Sequence, residues 1–105
     1  MAEKVYNKLV RDKIPQVIKQ ASKEPITYVA TDEEVKPLIL QKLIEELDEF
    51  KATPNEEELA DILEVIDGIA YAFNLDMEKV LAVKDDKLNE RGGFKERIIL
   101  EKVIG

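Results

Sequence analysis

Residues 45–61, EELDEFKATPNEEELAD, decide how this chain folds. They open with Glu45-Glu46-Leu47-Asp48-Glu49, an EExxE pattern, and close with Glu58-Leu59-Ala60-Asp61, an ExxD pattern. Residues three or four apart share a helix face, so Glu46 points with Glu49 and Glu58 with Asp61. Between the motifs lies Thr53-Pro54-Asn55-Glu56, in which Thr53 reads as a helix cap, Pro54 as the first helical position and Glu56 as the far side of a capping box. That leaves roughly Lys51-Ala52-Thr53 as the connection, and so short a connection forces an antiparallel helical hairpin. Glu49 and Glu58 then lie about one to one and a half turns from the loop, with Glu46 and Asp61 about one turn further on. The two acidic pairs are expected to face each other at similar heights. Four carboxylates gathered this way repel one another unless a cation sits among them, and a hard divalent ion with oxygen ligands suits them. Taken singly the motifs are weak, because Glu is a strong helix former and acidic helix faces are usually solvated. Their pairing across a short turn is what gives them weight.

Apolar spacing extends the helices outward from this turn. Leu40, Leu43, Ile44, Leu47 and Phe50 form one stripe, and Leu59, Ile62, Leu63, Ile66, Ile69, Ala70 and Phe73 form the next. Thr31-Asp32-Glu33-Glu34 reads as a capping box, and Pro37 predicts a short turn ahead of the main helix. Asn74 reads as a stop. Asp76 reads as the cap of a last helix that Gly92-Gly93 ends. Upstream, Leu9, Val10, Ile14, Val17 and Ile18 have helical spacing, with Pro15 marking the first turn of a helix that runs to about Ser22 behind an extended arm. Residues 26–30 and 97–103 are β-prone and are expected to pair as a small two-stranded element. The aromatic residues Tyr6, Tyr28, Phe50, Tyr71, Phe73 and Phe94 are read mostly as core. The expectation is thus an all-α, antiparallel helical bundle, residues 1–105 forming one domain, with that small β element attached.

Composition narrows the chemistry. The 105 residues contain no cysteine and no histidine. Disulfides, the usual zinc sites, Ser-His and Cys-His catalysis, and di-iron sites built on Glu-x-x-His pairs are therefore excluded. Any metal must be bound through oxygen. The net charge of −7 is unevenly placed: residues 1–31 carry six Lys/Arg against three Asp/Glu, residues 32–67 carry three against thirteen, and residues 68–105 carry seven of each. So acidic a surface argues against nonspecific nucleic-acid binding. No apolar run approaches the length of a membrane span and no signal peptide is legible, so a cytoplasmic location is expected.

EExxE followed by ExxD on adjacent helices resembles the all-α NTP pyrophosphatase superfamily, the MazG-like proteins. Tyr6-Asn7-Lys8-Leu9-Val10-Arg11-Asp12-Lys13-Ile14-Pro15 resembles the opening of its phosphoribosyl-ATP pyrophosphohydrolase-like branch. Lys87-Leu88-Asn89-Glu90-Arg91-Gly92-Gly93-Phe94 resembles that branch's closing motif. The resemblance spans nearly the whole chain. It implies that Glu46, Glu49, Glu58 and Asp61 hold Mg²⁺, with Mn²⁺ as a substitute, and that Glu45 is either a further ligand or the base that orients water. Lys87 and Arg91, four apart on one face, would meet phosphates, Asn89 the base or sugar, and Lys8, Arg11 and Lys13 are further substrate-binding candidates. The implied reaction is hydrolysis of a nucleoside triphosphate between its α- and β-phosphates, giving monophosphate and pyrophosphate. The implied assembly is a homodimer or homotetramer. Eight residues separate EExxE from ExxD, fewer than in many MazG-like proteins, and the long additional helices of the dUTPase branch are missing, which argues against deoxyuridine specificity. A non-catalytic helical binding module, or a degenerate member that binds nucleotides without turnover, is the competing expectation.

Overall fold

The computed structural model describes residues 2–105. They form four helices and no strand: α1 (Ile14–Gln20), α2 (Asp32–Ala52), α3 (Glu56–Ala72) and α4 (Met77–Arg91). The chain is all-α, as its stripes predict. It divides into two compact units, Met1–Leu75 and Asp76–Gly105. No helix among the described residues is long and apolar enough to cross a membrane.

The first unit is organised by the hairpin of α2 and α3. At the start of α2, Thr31 Oγ1 accepts from the Glu34 N–H at 3.1 Å. Asp32, Glu33 and Glu34 fill the first turn, where negative charge complements the helix dipole. Contrary to the sequence expectation, no turn separates this start from the main helix, and α2 runs through Pro37. Pro37 removes only the bond to the Glu33 carbonyl, and Glu33 is exposed, so water can take the freed acceptor.

The turn itself sits two residues later than the sequence suggested. Helix α2 continues to Ala52, and Thr53 closes it by donating its N–H to Glu49 O at 3.0 Å. Thr53 precedes a proline, which disfavours helical geometry, and it adopts φ −143°, ψ 78°. Asn55, not Thr53, caps α3: its Oδ1 accepts from the Glu58 N–H at 2.8 Å. Pro54 thus lies just outside the cap rather than at the first helical position. Asn is at least as good a cap as Thr, and only Asn55 stands next to the first helical residue, Glu56.

The connection is Thr53-Pro54-Asn55, and the hairpin is in register around it. Glu49 and Glu58, Glu46 and Asp61, and Ile39 and Gly68 are each equidistant from the Thr53–Pro54 peptide. The buried residues among those described are Ile39, Ile62, Val65 and Ala70, all on these two helices. Gly68 marks a close approach: a Cβ there would stand 2.9 Å from Ile39 Cδ1. The ends of α1 and α3 share one device. Ser22 (φ 61°) and Asn74 (φ 55°) turn left-handed. In each case two N–H groups then fold back onto the last turn, Ser22 to Lys19 O and Lys23 to Ile18 O, and Asn74 to Tyr71 O and Leu75 to Ala70 O. In the second unit, Asp76 Oδ1 caps α4 through the Glu78 N–H at 3.0 Å, and Gly92 (φ 81°) ends it.

Two expectations are corrected. The β element of residues 26–30 and 97–103 does not form. β-Branched composition supplies propensity but no partner, a two-stranded ribbon is marginal in water, and these segments belong to different units. Most of the aromatic side chains are not core either: Tyr6, Tyr28 and Tyr71 are exposed, and Phe94 is 97% exposed. The hairpin also leaves an apolar stripe uncovered, Leu40, Ile44 and Leu47 on α2 with Leu59, Leu63 and Ile66 on α3. Helical spacing sets this stripe on the side of the hairpin opposite the carboxylates.

The revised turn is open to a direct check. Asn55→Ala is expected to destabilise the protein by about 0.5–2 kcal/mol in chemical denaturation, while Thr53→Ala has a smaller effect. The reverse ranking would restore Thr53 as the cap.

Candidate metal centre

The short turn brings three carboxylates together. Glu46 comes from α2, and Glu58 and Asp61 come from α3; one oxygen of each lies within 4.8 Å of the others. All three side chains are half-buried. Glu46 Oε2 and Glu58 Oε2 are shut away from solvent and have no hydrogen-bond partner. An oxygen in that state is costly, since it has lost water and gained nothing in exchange.

The electrostatics carry the same strain. Burial pushes the Glu46 carboxyl above the ordinary carboxylate range. The charges of Glu49, Asp61 and Glu58 add to the rise, and Lys42 offsets part of it. Glu58 is likewise raised, first by desolvation, then by Glu49 and Asp61, with Glu57 and a hydrogen-bonding approach of Glu49 contributing. Glu49 is exposed and lies outside the tight group, but its charge bears on both Glu46 and Glu58.

Cations reach the rim of the cluster from two directions. Arg11 Nη2 donates to Asp61 Oδ1 at 2.8 Å. Glu45 lies between two lysines, with Lys8 Nζ 3.6 Å from Oε1 and Lys42 Nζ 3.3 Å from Oε2. Glu45, next to Glu46 in sequence, is thus held by cations and is not one of the three grouped carboxylates. Lys13 stands at the N-cap of α1 and makes no ion pair among those described. Lys87, Asn89 and Arg91 are exposed positions of α4 in the second unit.

Sequence reasoning placed Glu46, Glu49, Glu58 and Asp61 together; the structure gathers Glu46, Glu58 and Asp61 and leaves Glu49 outside that tight group. Sequence reasoning missed the pairing of the N-terminal arm with the acidic residues. The only available signal was the charge contrast between residues 1–31 and residues 32–67, which says that the two regions attract but not which side chains meet.

Oxygen bonds to hard divalent ions are about 2.0–2.6 Å long, so carboxylate oxygens grouped this closely can share one such ion with little movement. The donor set is all carboxylate, and two of its oxygens lack partners, so the residues present fit a hard cation. No family model, curated protein or solved structure matches the chain. The carboxylate geometry therefore supports a cation site, and the motif resemblance carries any reading of the reaction.

The raised carboxyls predict how stability responds to pH. A carboxyl raised in the folded state binds more protons folded than unfolded. Its stabilising contribution is full below the unfolded value and is lost as pH rises through the folded one. In metal-free buffer, denaturation midpoints should therefore increase as pH falls from neutrality toward the ordinary carboxylate range. Glu46→Gln should flatten that rise. A rise of equal slope in the variant would refute the assignment.

Proposed function

We propose that the chain is a MazG-like nucleotide pyrophosphohydrolase of the phosphoribosyl-ATP pyrophosphohydrolase-like branch. It would cleave a nucleoside triphosphate, or a related nucleotide, between the α- and β-phosphates in a cytoplasmic house-cleaning role. The observation that carries this reading is the convergence of Glu46, Glu58 and Asp61 from two helices with unpartnered inner oxygens. Glu46, Glu58 and Asp61 would hold Mg²⁺ or Mn²⁺, with Glu49 beside them. Such an ion, when bound, would supply charge to offset the phosphates and to activate water.

The chain's own side chains do the rest. Glu45, restrained between Lys8 and Lys42, is placed to orient water at the rim of the cluster. Lys8 and Arg11 pair with carboxylates on the hairpin and can donate to phosphate oxygens once they leave those partners. Lys13, Lys87, Asn89 and Arg91 enter as substrate-binding residues through the motif resemblance alone.

Incubation with a panel of ordinary and modified nucleoside triphosphates plus Mg²⁺ or Mn²⁺ should release pyrophosphate. Glu58→Gln and Asp61→Asn should each lower the rate by roughly 100-fold or more, the scale seen when a group that stabilises transition-state charge is removed. Absence of pyrophosphate from every substrate at high protein concentration would overturn the reading.

One observation favours a second reading, a helical binding module. The stripe opposite the carboxylates is open, with Ile44 52% and Leu63 58% exposed, and such a stripe suits partner helices. In the enzyme reading the same stripe is buried in a homodimer or homotetramer. Light scattering should give a multiple of 12.0 kDa, and Leu63→Glu should shift it toward the monomer; a monomeric wild type would contradict the assembly. A binding module, unlike the enzyme, should keep its function in Asp61→Asn.

A further inference from the structure

Asp61 belongs at once to the carboxylate group and to an ion pair with Arg11, and both contacts involve the same side chain. Asp61 and Arg11 are half-open to solvent, 40% and 57% exposed. A pair so exposed is worth at most about five-fold in an equilibrium constant, so competing charge can break it. Lys8 grips the other flank at Glu45, 3.6 Å away.

The segment carrying these two cations is lightly tied. Among the described residues, backbone hydrogen bonds outside the helices begin at Arg11, whose carbonyl accepts from the Ile14 N–H at 3.1 Å. Asn7, immediately before Lys8, has φ 47° and turns the chain there. Two ion pairs join the arm to the hairpin, Lys8 with Glu45 and Arg11 with Asp61, and Leu9, between them in sequence, is half-buried.

We propose that the N-terminal arm is a counter-ion latch on the acidic centre. Arg11 and Lys8 neutralise the rim when no divalent cation is present, and they are expelled when one binds. The cause is electrostatic: a guanidinium and a divalent ion held at one carboxylate would repel at close range. The freed Arg11 and Lys8 are then available to an anionic ligand arriving at the same rim. Cation binding and anion capture are coupled through the arm, so the anion site is complete only after the cation site fills. This inference rests on the cation reading of the carboxylates given above.

The alternative is that Arg11 stays on Asp61 and supports it as a ligand, in which case losing Arg11 weakens cation binding. Calorimetric titration with Mn²⁺ at fixed ionic strength separates the two. The Lys8→Gln/Arg11→Gln variant is compared with Lys19→Gln/Lys23→Gln, which removes equal charge from exposed positions of α1 and its C-terminal end. The latch predicts that the arm variant binds Mn²⁺ about 2- to 5-fold tighter than this control. It also predicts that Mn²⁺ speeds tryptic cleavage after Arg11 in the wild type, and it requires both results. Equal or weaker binding by the arm variant overturns it, as does cleavage that Mn²⁺ leaves unchanged or slows. Binding of Mn²⁺ by none of the proteins overturns the cation reading and the latch together.

Discussion

Between Ala52 and Glu56 the chain has three residues in which to reverse direction. Thr53 is driven out of helical geometry by the proline that follows it, and Asn55 restarts the helix by accepting the Glu58 N–H. So tight a reversal leaves no freedom in how α2 and α3 align. Ile39 falls opposite Gly68, where the missing side chain lets the helices approach, and Glu46 falls opposite Asp61. The core and the carboxylate cluster are two consequences of one register.

That register imposes an electrostatic cost. Packing helices through their apolar edges carries Glu46 and Glu58 partly out of water and toward each other, and both carboxyls rise in response. A fold selected for stability alone would place such side chains on the open face, as it does for Asp48 and Glu64. Half-buried like charges kept against that cost are a pointer to a ligand that relieves it. In the protein by itself the relief is partial: Lys42 acts on Glu46 and Glu45, Arg11 pairs with Asp61, and two inner oxygens stay without a partner.

The hairpin and its acidic pairs were legible in the sequence because helical spacing and a short connection are local signals. The caps at Thr31 and Asp76 and the stop at Asn74 were legible for the same reason. The exact turn was not, because Thr53, Pro54 and Asn55 each suit more than one role, and only the competition between them decides that Asn55 caps. Residues 26–30 and 97–103 misled because β propensity describes a chain that already has a neighbour to pair with. The aromatic residues misled because burial belongs to packing rather than to residue type, and Tyr71 on α3 remains 89% exposed. The contacts of Arg11 and Lys8 join residues far apart in sequence, and no periodicity encodes them. The pyrophosphohydrolase chemistry is a proposal that rests on motif resemblance, with the carboxylate geometry compatible with it.

The claim on which everything else rests is that the cluster is a cation site. Thermal unfolding with increasing Mn²⁺ tests it most directly, because an ion that binds only the folded chain raises its stability as the logarithm of its concentration. The account predicts a melting temperature that climbs with Mn²⁺ in the wild type and stays flat in Glu58→Gln. A wild-type melting temperature that ignores Mn²⁺, or one that climbs equally in the variant, would contradict it.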